Sequence, residues 1–346
     1  MEATRRRAIR DGLLQSAGIL VALALSAVVL LGMGVSPWEA AARLLGGAFS
    51  SPGDIASVLR TWAPVLLCSA GLLLTFSAGM WNIGIEGQVV MGAVCTTGAL
   101  RLLQGVLPPW AALLLSALAG LVGGALWGAL AGALRLYGNV NEIFGGLGLN
   151  FIANGLTVYL VLGPWGRPGS ASTSGTEPFP RALWLPAFPG FDVSPYEVAL
   201  GLLAIAAVAI VLRGTYFGLR LKAIGQSLRA AFLLGVPTAS HLMAAFFFCG
   251  ACGGLAGWVL VVGASTRHQL YPLISGGYGF LGVLVVMLAN RRAGWVLPIS
   301  FFFAAIAMGS VGLDSSLAGV IQGLLVLGVL FSQGLQRRYL VREEGS

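Results

Sequence analysis

Apolar residues run along this chain in stretches of about twenty, and clusters of polar residues, proline and glycine between them mark out ten such runs. A helix needs about 20 apolar residues to cross a ~30 Å hydrocarbon core. The runs lie near 13–33, 57–78, 84–104, 109–134, 143–162, 194–213, 239–263, 277–290, 295–311 and 315–333. They are continuous rather than alternating, so they read as helices and not as the lipid-facing strands of a barrel. The pattern predicts an all-α polytopic membrane protein of about ten transmembrane helices. A basic N-terminus, 1–12, precedes the membrane domain, 13–333, and a short tail, 334–346, follows it.

Two polar segments interrupt the runs. The first, 163–194, is rich in proline, which removes helix donors, and reads as an irregular external loop. Such a loop serves either as a docking site for an external partner or as a cover for helix ends. The second, 213–238, places apolar residues at helical spacing with Arg220, Lys222 and Arg229 between them. It reads as an amphipathic cytoplasmic helix, suited to a lipid surface or to a groove on a soluble partner.

Composition agrees with the pattern, because 57% of residues are hydrophobic, 9% are charged and the mean hydropathy is +0.89. A soluble domain carries roughly a quarter charged residues, so most of this surface faces lipid. Basic residues collect on the cytoplasmic side of spanning helices. With both termini cytoplasmic, fourteen of the twenty Lys+Arg fall inside and six outside. The net charge of +8 is therefore an orientation signal, and nucleic acid is not an expected partner. The first run is long and lacks an obvious A-x-A cleavage site, so it reads as an uncleaved span rather than a signal peptide.

Candidate chemistry is sparse. Cys68, Cys95, Cys249 and Cys252 all fall inside apolar runs, and His241 and His268 lie far apart near run ends, so neither a metal site nor a bound cofactor is expected. Gly120, Gly124, Gly128 and Gly132 recur every four residues and make a smooth stripe for close helix packing, and Gly253 with Gly257 and Gly319 with Gly323 repeat the device. Glu86 in GMWNIGIEGQVVMGA and Glu142 in the Asn139–Asn141 neighbourhood are the clearest carboxylates inside runs. Such a group is costly in lipid, by roughly 2.5–3.5 kcal/mol on insertion scales, and faces a cavity or a partner. Two readings fit both glutamates: a cap on backbone N–H groups of a neighbouring helix, or a wall of a polar path. GIEGQVVMGA at 84–93 is echoed by GFLGVLVVMLA at 279–289, as the second helices of two oppositely oriented halves. That arrangement is an inverted repeat, a pointer to a transport pathway.

Four segments carry a resemblance: GMWNIGIEGQVVMGA, NEIFGGLGLNFIANGLTVYLVLGP at 141–164, TYFGLRLKAIGQSLRAAFLLGV at 215–236 and GGYGFLGVLVVMLANRRAGWV at 276–296. From about Pro64 to Leu330 the chain resembles the permease subunits of bacterial ABC importers for simple sugars and nucleosides, and most closely the longer permease of the nucleoside branch. The resemblance implies a multi-pass protein of the bacterial inner membrane that pairs with a shorter permease paralogue as a heterodimer. It also implies an ABC ATP-binding subunit and an extracytoplasmic substrate-binding protein as partners. No G-x-x-x-x-G-K-[ST] loop occurs in the chain, in keeping with a transport subunit that leaves ATP hydrolysis to its partner.

By the same resemblance, 215–236 is the ATPase-coupling segment, with Phe217, Gly218, Arg220, Lys222, Gly225 and Arg229. The expected substrate pathway uses Trp81, Asn82, Glu86 and Gln88 from one half and Tyr278 and Phe280 from the other, with Asn141, Glu142 and Asn150 in reserve. Aromatic rings stack on a nucleobase and amides bond sugar hydroxyls, which suits these types to nucleosides. A simple-sugar permease is the nearest alternative, and an ion-coupled secondary transporter a more distant one. The chain lacks H-E-x-x-H and G-x-S-x-G, and shows no paired-carboxylate motif within a run, so an enzyme is not expected.

Overall fold

The computed structural model describes residues 24, 27, 28, 31, 32, 36–167, 174–188, 190–264, 267–309 and 323. The first and tenth expected spans and both terminal segments lie outside the described residues, apart from those few positions. The chain divides into two compact units, 1–55 with 305–346, and 56–304.

In the first unit, α1 (Pro37–Phe49) opens with Pro at its first turn, and Gly47 meets the backbone of Gly309. The hydrophobic pattern did not signal this 13-residue helix, which is too short for a span. At its boundary with the next helix, Asp54 Oδ2 accepts from both the N–H and the hydroxyl of Ser51, and Ser51 Oγ accepts the Asp54 N–H. That reciprocal cap starts α2 (Pro52–Ser77).

The second unit continues with α3 (Ile85–Leu103), α4 (Pro109–Leu136), α5 (Glu142–Leu162), α6 (Pro195–Gly214), α7 (Tyr216–Gln226), α8 (Leu228–Leu233), α9 (Thr238–Val262), α10 (Tyr278–Leu288) and the start of α11 (Ala293–Gly309), whose residues from 305 on belong to the first. No strand occurs among the described residues. Five helices, α2, α4, α5, α6 and α9, are long and apolar enough to cross a membrane. The bounds follow the apolar runs closely. The amphipathic segment differs: it is two helices, because Ser227 leaves helical geometry, closing α7 with its N–H on Ala223 and opening α8 with its hydroxyl on the Ala230 N–H.

The centre of the unit is a three-helix contact of α3, α4 and α9. Gly124 and Gly128 lie against the backbone of Gly250, Gly120 against Gly92 and Gly254, and Gly132 against Phe246. With no side chain between them, the helices gain dispersion contacts along the whole seam, which is how membrane helices associate without a hydrophobic drive. The expected stripe on α4 is this seam. Gly253 packs on Ile85 and Gln88, and Gly257 on Val89 and Ala93. Gly319 lies outside the described residues.

The proline-rich loop is irregular but pinned. A short turn, Arg181–Leu183, is its one helical piece among the described residues. Backbone N–H groups of Thr176, Phe179 and Leu185 donate to the carbonyls of Leu270 (2.8 Å), His268 (2.9 Å) and Val262 (2.9 Å). Trp184 stacks on His268 with ring centroids 3.7 Å apart. Nearby, the buried Glu197 of α6 accepts from the Ala264 N–H, and Arg60 Nη1 of α2 donates to the Ala264 carbonyl at 3.0 Å. The backbone of one residue just past the end of α9, Ala264, thus ties α2 and α6 together.

Candidate functional site

The segment between α2 and α3 does not simply turn at a membrane face. Gly79 takes φ +76°, Met80 N–H donates back to the Thr75 carbonyl at 2.9 Å, and Trp81 tilts over Phe76 with centroids 5.3 Å apart. Asn82 then lies against Cys249 Sγ, with its Nδ2 3.1 Å away, and the first turn of α3 meets Gly253, about midway along α9. So α3 begins deep in the bundle. A second helix also begins there: α10 has only 11 residues, a length of about 16 Å against a ~30 Å core. Its approach, ISGGYGF, needs left-handed backbone at Gly276 (φ 53°) and Gly277 (φ 81°), which glycine adopts at no steric cost. Leu273 adopts φ 58° as well, a strained conformation for a side chain of its size.

Glu86 joins the two helix starts. Its Oε1 accepts the Phe280 N–H at 2.9 Å, and Gly279 packs beside the carboxylate, with Ser275 on the same cavity wall. The carboxylate thereby caps α10, whose first N–H groups have no helical partner and carry the positive end of the helix dipole. A hydrogen bond to a charged group stabilises by roughly 1.5–3 kcal/mol, which offsets part of the cost of burying a residue that is 3% exposed. On the other flank of α3, Asn150 of α5 accepts the Gly87 N–H at 2.8 Å and donates to the Ile83 carbonyl at 3.1 Å.

A cavity of about 410 Å³ lies beside this junction. Glu86, Asn150, Asn154, Phe151, Ser275 and Phe280 line it, with Leu147, Leu273, Gly276 and Gly277. Its volume falls in the range of roughly 300–1,000 Å³ typical of small-molecule sites, and its wall is mainly apolar with a few converging polar groups. Phe151, Leu273 and Phe280 are all exposed, so the cavity is open on one side of this chain.

The residues singled out in the sequence are distributed as follows. Glu86, Asn150 and Phe280 line the cavity. Asn82 and Gln88 face each other as a buried amide pair, with Nδ2 to Oε1 at 3.3 Å and Nε2 to Oδ1 at 3.2 Å. Tyr278 is the first residue of α10, and Trp81 is 40% exposed. Asn141 caps α5 by accepting the Ile143 N–H at 2.9 Å, and Glu142 pairs with Arg135 Nε at 3.0 Å. Among the coupling residues, Phe217 stacks on His241 and lies edge-on to Phe248, Gly218 meets Leu212, and Gly225 meets Ser77 and Gly79. Arg220, Lys222 and Arg229 are exposed. The sequence reading did not single out Asn154, Phe151 or Ser275. Asn154 stands four residues after Asn150 and so on the same helix face, the one signal that pointed to it. Among the described residues, no group of three or more His, Cys, Asp or Glu is placed to hold a metal.

Residues 54–335 match the family model described as branched-chain amino acid transport system / permease component. The chain is 30% identical over 335 residues to the glucose ABC transporter permease protein TsgB13 of Haloferax volcanii, covering 92% of this chain and 87% of the relative. It is 23% identical over 331 residues to the guanosine ABC transporter permease protein NupP of Bacillus subtilis, covering 92% of each. With the guanosine ABC transporter permease protein NupQ of the same organism it shares 26% identity over 258 residues, 70% of this chain and 76% of the relative.

Proposed function

The chain belongs to the family described as branched-chain amino acid transport system / permease component, and from that premise we propose that it forms half of the path of an ATP-driven nucleoside importer. It is a multi-pass protein of the cell membrane, the inner membrane in bacteria. The observation that carries the reading is the cavity at the joint starts of α3 and α10, where Glu86, Asn150 and Phe280 come together. Helices that start within the bundle around such a cavity are the architecture of a substrate path. Trp81, Asn82, Gln88 and Tyr278 support that wall from behind, and Asn141 and Glu142 anchor the start of α5.

A second permease closes the open side of the cavity in this reading, as a heterodimer. The similarity to both NupP and NupQ, two guanosine permeases of one organism, supports the pairing. A separate ATP-binding subunit hydrolyses ATP, a binding protein delivers the ligand at the loop 163–194, and this chain makes or breaks no bond. The 213–238 segment and both termini are then cytoplasmic. The geometry also supplies a coupling route. Gly225 of α7 touches Ser77 and Gly79 at the end of α2, and the chain runs from there to Glu86 in seven residues. A push on the exposed Arg220, Lys222 and Arg229 face is transmitted through that turn to the caps of α3 and α10. Two packings of this junction, one open to each side, give alternating access.

The simple-sugar reading is favoured by one observation, the 30% identity to a glucose permease. Uptake of labelled guanosine, with glucose as competitor, into proteoliposomes holding both permeases, the ATPase and the binding protein decides between them. ATP-dependent guanosine uptake is the expected result. Uptake by this chain alone under an ion gradient would sink the ABC reading and favour a secondary transporter.

A further inference from the structure

We propose that Asn154 is the specificity-determining acceptor of the cavity, and that the ligand it reads is the hydroxyl-bearing ring of an uncharged sugar or nucleoside. The assignment rests on the transport reading above and deepens it. Asn150 and Asn154 stand one helical turn apart on α5 and both line the cavity, yet they are bonded differently. The Asn150 amide is already occupied, its oxygen by the Gly87 N–H and its nitrogen by the Ile83 carbonyl. Asn154 donates from Nδ2 to the Asn150 carbonyl at 3.0 Å, while its Oδ1 is buried and has no hydrogen-bond partner. A buried acceptor left unmade costs about 1–3 kcal/mol, so such an atom beside a cavity marks a place where a ligand donor completes the site.

Charge narrows the class. Among the described residues no lysine, arginine or histidine lines the cavity, and the one charged group is Glu86, whose carboxylate is held by the start of α10. A ligand carrying a carboxylate or phosphate meets negative charge there without a counter-cation, whereas a neutral ring bearing O–H groups meets the missing acceptor. Phe151 and Phe280 offer apolar faces for the ring itself. The cavity is thus unsuited to an amino acid, the class named in the family description.

The test uses the complete transporter in proteoliposomes, with binding protein preloaded with guanosine, glucose, guanine or leucine and uptake expressed per loaded binding protein. Wild type is expected to carry guanosine or glucose, and which of the two tells a nucleoside from a free sugar. Asn154→Leu is expected to lower that uptake about tenfold, the ratio that 1.4 kcal/mol corresponds to. Asn154→Gln, which keeps the amide's donor and acceptor, is expected to stay within about threefold, and Asn154→Ala removes the acceptor without adding bulk should the leucine disturb assembly. Wild-type rates in both Leu and Ala variants overturn the assignment, as does a loss of guanine uptake equal to the loss for guanosine. A wild-type complex that carries leucine and none of the hydroxylated probes overturns the transport reading itself, and the assignment with it.

Discussion

Along the α4–α9 seam, Gly120, Gly124, Gly250 and Gly254 sit inside continuous helices and let two backbones touch. Before α10, Gly276 and Gly277 sit outside any helix and turn the chain through left-handed conformations. The same residue serves opposite ends. In the seam the missing side chain creates contact, and every backbone group is satisfied within its own helix. At the junction the missing side chain allows a turn that leaves helix donors free, and a carboxylate from elsewhere must satisfy them. A contact of the first kind has one packing, while a junction held by a few hydrogen bonds can have two. On the proposed transport reading, rigidity lies in the seam of α3, α4 and α9, and the switch in the caps around Glu86.

Substitution at each glycine gives the largest effect that can break this contrast. A side chain at Gly254 collides with the backbone of Gly120 and Gly124, so Gly254→Leu is expected to abolish a monodisperse complex in gel filtration, at or beyond the upper end of the roughly 1–3 kcal/mol typical of overpacking. A Cβ at Gly277 meets nothing within 4 Å and adds only the left-handed penalty, roughly 1–2 kcal/mol. Gly277→Ala is expected to assemble and to slow transport. Equal loss of assembly in the two variants would remove the distinction.

The two glutamates sharpen it next. Glu86→Gln keeps an acceptor for the Phe280 N–H but removes the charge opposite the α10 dipole, and ATP-dependent uptake is expected to fall about tenfold with assembly retained. Glu142 pairs with a partly exposed Arg135, and such pairs are worth about 0–1 kcal/mol. Glu142→Gln is therefore expected to change uptake less than twofold and to leave thermal stability within about 1 kcal/mol. Similar losses in both would mean that position along the bundle, and not the cap, decides their role.

How far these features were legible depends on the range of the interaction. Helix bounds came through because hydropathy is a local property: 143–162 against Glu142–Leu162, and 239–263 against Thr238–Val262. The α4 stripe was legible too, since its four-residue period is written in one helix. Glu86 stood out as a carboxylate in an apolar run, and capping by freed N–H groups was one of its two readings. Which helix it caps was not legible, because Phe280 lies 194 residues away. Asn150 and Asn154 look alike within NFIANG, and only their tertiary partners separate a spent amide from an open one. The break at Ser227 was also hidden, since serine fits a helix surface as readily as a cap.

The smallest effect expected lies in the pinned loop, where the contrast with the seam becomes one of titration. His268 is held by its stack on Trp184 and by the Phe179 N–H on its carbonyl, with Arg181 over the far ring of the stack at 5.7 Å. Burial pushes its imidazole down to about 4 from the usual 6.5. The folded loop therefore prefers the neutral ring. Above pH 6.5 the folded and opened forms bind the same number of protons and stability does not change. Between pH 6.5 and about 4 the opened form takes up a proton that the folded form refuses, so local stability is lost as pH falls, and the loss is complete below about 4. Hydrogen exchange of residues 176–185, corrected for intrinsic rates, is expected to show less protection at pH 4.5 than at pH 7. The α4–α9 seam has no ionisable group at its glycine contacts and serves as the internal control. His268→Phe keeps a ring on Trp184 without a proton to gain, so its loop is expected to hold the same protection at both pH values. If wild type and variant respond alike, the loop is pinned by its backbone rungs alone, and acid opening must be sought at another group.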